Sequence, residues 1–69
     1  MTFIAKKLMR NGQIGVAVYR NDDGTAHIVR HSGSGLGRAL EWNVPNRDPE
    51  WFIANNGPNS QHKWRWADA

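Results

Sequence analysis

The chain has 69 residues, no cysteine, and nine Lys and Arg against six Asp and Glu, a formal charge of +3. A domain this short buries only roughly 60% of the surface its unfolded chain exposes, so strand pairing, tryptophan packing or an oligomer interface must supplement a thin core. The lack of cysteine excludes disulfides and thiolate metal sites, and the charge is a mild bias, weaker than the basic balance of a dedicated polyanion binder. The segment MTFIAKKLMR has no apolar run of signal-peptide length, and nothing approaches the ~20 apolar residues of a membrane span. The expectation is one soluble, cytoplasmic domain, 1–69.

Residues 2–9 fit two patterns. As a helix, Thr2 is the N-cap of a stripe of Phe3, Ile4 and Leu8; as a strand, Ile4 and Leu8 share one face while Phe3 and Ala5 take the other. The strand is preferred, because Asn11-Gly12 is a hairpin signal and the β-branched run after it needs a partner. A two-residue type I′ turn requires positive φ at both central positions, which Asn tolerates and Gly adopts freely. Residues 13–20 and 25–30, rich in Val, Ile, Tyr and Thr, are the firmest strands.

Between them, Asp22-Asp23 suit a type I turn and Gly24 the left-handed position after it, a three-residue hairpin loop with a bulge. That loop sets Asn21 opposite Thr25, Tyr19 opposite His27 and Val18 opposite Ile28. Alternation then turns Ile14, Val16, Val18 and Ile28 toward the core and leaves Ala17 and Tyr19 on the other face.

Ser32-Gly33-Ser34-Gly35-Leu36-Gly37 breaks all periodicity and reads as a loop. Residues 38–44 fit a strand or a helical turn, and Pro45 stops either. In Arg47-Asp48-Pro49-Glu50, Asp is an N-cap, Pro the first helical residue and Glu an acid favourable to the helix dipole, predicting a short helix near 48–56 that ends at Asn55-Asn56-Gly57-Pro58. The helix persists only if Trp51, Phe52 or Ile53 packs on the sheet. The last alternating segment sets Trp64 and Trp66 on one strand face, Lys63 and Arg65 on the other. The fold class is mainly β: a small antiparallel meander or half-closed barrel of four to five strands, with an open sheet carrying one helix as the competing form.

Several chemistries fail on spacing. The loop glycines, with Ser32, Ser34 and Arg38 as extra donors, match neither G-x-G-x-x-G nor G-x-x-x-x-G-K-[ST], so a plain connection is preferred to a phosphate cradle. His27 and His31 share a strand face but stand about 13 Å apart at ~3.3 Å per residue, and only His62 remains as a further imidazole, so no metal is expected. Ser32, Ser34 and Ser60 lack a neighbouring base and orienting acid in the sequence, and Asp48 and Glu50 are better spent on helix capping than on paired-carboxylate work. The reading is a non-enzymatic module without a cofactor.

Aromatic and basic residues remain. Tyr19, Trp42, Trp64 and Trp66 offer stacking faces to unpaired bases, although in so small a domain the tryptophans are also the natural core. Lys6, Lys7, Arg10, Arg20 and Arg30 are candidate phosphate contacts along the first three strands, joined by Arg38, Lys63 and Arg65. The favoured function is nucleic-acid binding through a basic, aromatic-bearing sheet face. The alternative is a small accessory or inhibitor protein that occupies one protein partner's surface. An unpaired edge beside the N-terminal strand would also admit a homodimer.

Overall fold

In a computed structural model, which describes residues 1–8, 14–31, 39–55 and 64–67, the chain forms β1 (Thr2–Leu8), β2 (Ile14–Arg20), β3 (Ala26–Arg30), β4 (Leu40–Val44), α1 (Pro49–Asn55) and β5 (Trp64–Trp66). The Asn11-Gly12 turn, the glycine loop and His62 lie outside the described residues. The strands make one antiparallel sheet in the order β4-β3-β2-β1-β5. β1 to β4 run as the expected meander and β5 returns to pair with β1; the sheet does not close into a barrel and carries α1 on one face, the form set out as the competitor. The N-terminal strand is not an edge, because Ala5, Lys6 and Lys7 pair with Trp66, Arg65 and Trp64. No helix among the described residues is long and apolar enough to cross a membrane.

The β2–β3 loop closes as its residues dictate. Gly24 N–H donates to Asn21 O at 2.9 Å and Asn21 N–H to Thr25 O at 2.8 Å, while Gly24 holds φ at +89°. Asp23 Oδ1 accepts from the Thr25 hydroxyl at 2.6 Å and from its N–H at 3.0 Å, an Asx-type brace that holds the Asp23 carboxyl below its ordinary value. The resulting register is the expected one, Val18↔Ile28 and Tyr19↔His27.

β1 departs from simple alternation. Phe3 pairs with Tyr19 and Ala5 with Val18, so Ile4 is an extra residue in a bulge. The expectation that Phe3 and Ala5 share a face is therefore corrected: Ala5 is fully buried against Val18, Ile4 packs beside it, and Phe3 turns to the opposite face. A second shift, between Lys7 and Leu8, pairs Leu8 with Ile14. Ile14, expected in the core, is left exposed at the sheet's end.

The core lies between one sheet face and α1, and consists of Ala5, Val18, Ala26, Ile28, Ile53 and Trp64. Val18 and Ile28 are completely buried, each contributing about 1.5–3 kcal/mol. The helix forms where its caps specify it: Asp48 Oδ1 accepts from Trp51 N–H at 2.8 Å, and Pro49 and Ile53, four apart, are the residues it buries. Asn46, at φ +61°, turns the chain after β4, and Arg47 O takes the Ala26 N–H at 2.8 Å, tying the helix entry to β3. Only Trp64 of the four tryptophans is buried; Trp42, Trp51 and Trp66 are exposed, with the Arg47 guanidinium 4.5 Å above the Trp51 ring.

Ile28→Ala is expected to cost ~2–5 kcal/mol, enough to unfold most of so small a domain, whereas Gly24→Ala meets no atom within 4 Å and costs only the ~1–2 kcal/mol of a left-handed alanine. Urea titrations of the two variants beside the parent check the order.

Candidate binding face of the sheet

Register and alternation assign every described strand residue to a face. Arg20, Ala26 and Val44 form one cross-strand row on the helix side, and Val18, Ile28 and Trp42 the next. The opposite face carries the row Phe3, Tyr19, His27, Asn43 and, beside it, the row Arg65, Lys6, Ala17, Val29, Glu41. Among the described residues no helix covers this second face.

Its aromatic row is continuous. The Phe3 and Tyr19 ring centroids are 5.5 Å apart at an interplanar angle of 63°, an edge-to-face contact, and Tyr19 and His27 follow at 6.4 Å and 58°. Lys6 and Arg65 are directly paired across β1 and β5 in the adjoining row, so two cations flank the aromatic end. Glu41 stands at the other end. The face is polarised along its width.

His27 joins the β3 and β4 ends of the row. Its Nδ1 lies 2.9 Å from Asn43 Oδ1 and its Nε2 3.2 Å from Glu41 Oε1. Both partners are acceptors, so both ring nitrogens must donate, and the arrangement is complete only for the imidazolium. Asn43 Oδ1 also accepts from Asn21 Nδ2 at 2.9 Å, and the same Nδ2 donates to Thr25 Oγ1 at 3.1 Å. The hydrogen bond to Asn43, then the one to Glu41, raises the His27 pKa above its ordinary 6.5.

The expected site residues divide between the two faces. Lys6, Tyr19 and Arg65 come together on the face opposite the helix. Lys7, Arg20, Arg30 and Trp42 lie on the helix side, because each alternates with a residue of the open face. Arg20 is further engaged by the Glu50 carboxylate of α1. Arg10, Arg38 and Lys63 lie outside the described residues. Sequence reasoning left Phe3 and His27 out of the site. The signal for His27 was present in the Tyr19–His27 register; for Phe3 there was none, since its position depends on the bulge at Ile4.

Because the native His27 pKa is raised, its bridge stabilises the fold fully below 6.5 and the contribution is lost as pH rises through the native value. The urea midpoint is expected to fall from mildly acidic to mildly alkaline buffer, and Glu41→Gln to lower the His27 titration followed by NMR. An unchanged pH dependence in His27→Gln would refute the assignment. Comparisons with protein-family models, curated proteins and solved structures found no match to this chain.

Proposed function

We propose that the sheet face opposite the helix binds single-stranded nucleic acid. The observation that carries this reading is the Phe3–Tyr19–His27 row lying alongside Lys6 and Arg65. Bases present π-faces to aromatic side chains whatever their sequence, and cations one row away meet the backbone phosphates. Phe3, Tyr19 and His27 are each half-buried in the row. His27, whose pKa Asn43 and Glu41 raise, gains positive charge in the row as the pH falls, while Glu41 repels phosphate from the β4 end and directs the strand toward β1 and β5. Since the described residues of the face include only Lys6 and Arg65 as lysine or arginine, stacking carries much of the affinity and the complex is of modest strength.

Fluorescence anisotropy with labelled single-stranded DNA and RNA at low salt tests this. Lys6→Ala and Arg65→Ala are each expected to reduce the slope of log K against log salt by ~0.7, and Tyr19→Ala to cost ~1–3 kcal/mol of binding. Arg30→Ala, on the other face, is expected to leave the affinity nearly unchanged. Absence of binding to either strand type at low salt overturns the proposal, as does equal weakening by Arg30→Ala and Lys6→Ala.

A further inference from the structure

The sheet ends at β5 on one side, a strand of only three residues, and at the five-residue β4 on the other; neither has a second neighbour among the described residues. The backbone direction along β4 follows from its neighbours. His31 N–H, just past β3, donates to Gly15 O of β2, so the odd-numbered residues of β3 bond toward β2; Ala26 N–H donates to Arg47 O, so the even-numbered ones bond toward β4. Ile28↔Trp42 is therefore a hydrogen-bonded pair, and the backbone groups of Leu40 and Val44 likewise face β3, where the Ala26 N–H is taken by Arg47 O. The N–H and C=O of Glu41 and Asn43 point out of the sheet.

The side chains at this edge are as unusual as the backbone. Leu40 is 64% exposed and Trp42 40% exposed, both on the helix-side face, and a sheet edge bearing large apolar residues is a template for another strand. Asn43 spends its Oδ1 on His27 and Asn21, leaving its amide nitrogen without a partner among the described residues.

We propose that the β4 edge pairs antiparallel with the β4 edge of a second copy of this chain, about a two-fold axis at Trp42. Centred there, Glu41 of each copy lies opposite Asn43 of the other, and these are the residues whose backbone groups are free, so each such pair exchanges both hydrogen bonds. On the outer face the unpartnered Asn43 amide meets the Glu41 carboxylate across the axis. On the helix side Leu40 lies opposite Val44, and the two Trp42 residues form a non-hydrogen-bonded pair, whose Cα atoms approach to roughly 4.5 Å and whose side chains are in closest contact.

Other centres fail. An axis at Glu41 sets two carboxylates directly opposite each other, and an axis at Asn43 sets Glu41 against Pro45, which has no N–H to give. The edge is thus self-complementary in the register centred on Trp42, as an isologous contact requires, and Pro45 limits the ribbon to a short segment. The expected homodimer forms at β4, not beside β1, where β5 already occupies the edge. The pairing uses neither Lys6 nor Arg65 and stands apart from the nucleic-acid reading.

Sedimentation equilibrium of the full chain from micromolar to millimolar concentration is expected to give twice the 7.8 kDa chain mass. A synthetic chain N-methylated at Asn43 loses only an outward-pointing donor and is expected to sediment as a monomer with an unchanged far-UV circular dichroism spectrum. Leu40→Lys, which alters an exposed side chain, is expected to shift the equilibrium the same way. A monomeric parent throughout the range overturns the proposal. So does a dimer that survives both changes, or a parent that leaves β4 free for another protein's strand.

Discussion

Gly24 at positive φ closes the loop between β2 and β3, and the Asn21–Thr25 bonds beside it set the pairing of the two central strands. Every other assignment in the molecule is counted from that register. It places Val18 and Ile28 at the centre of the core and, in the same stroke, Tyr19 against His27 on the opposite face. With side chains alternating at every residue, a slip of one would exchange these two sets, exposing the core pair and burying the His27 ring. The buried pair and the polar brace therefore support each other.

One helix covers one face, and this asymmetry divides the chemistry of the surface. Beneath α1 lie the small and branched residues that let a short helix sit close, and the ion pair of Arg20 with Glu50 joins helix to sheet at the margin. That pair is largely solvated and adds little stability, but it commits a cation that would otherwise be free. The face that no helix covers among the described residues holds aromatic rings, the His27 imidazole and two adjacent cations. A bulge at Ile4 links the faces: one extra residue lets β1 give Ile4 and Ala5 to the core while returning Phe3 to the aromatic row.

The two sides of the sheet end differently for a physical reason. β5 brings Trp64 over the core and satisfies the outer backbone groups of β1, so packing and pairing coincide there. β4 contributes Val44 to the core but leaves Leu40 and Trp42 beyond the reach of a helix only seven residues long. The exposed apolar side chains and the outward Glu41 and Asn43 backbone groups arise from the same shortfall.

What the residues by themselves determined is local. The turn chemistry of Asp22-Asp23-Gly24 specified the β2–β3 register, Asp48-Pro49-Glu50 specified where the helix starts, and alternation specified that Trp64 and Trp66 share a face, because each rests on contacts within a few residues. Tertiary structure alone decided the rest. Whether β5 joins β1 or closes against β4 depends on burying Trp64, and the bulge at Ile4 depends on the depth of the core beneath Ala5. The placing of Lys6 and Arg65 beside the aromatics and of Lys7 behind them follows from those non-local choices, whereas Arg20 and Arg30 take the helix side by plain alternation in β2 and β3. Charge and composition carry no record of which face a side chain will take once packing has inserted one residue into the alternation.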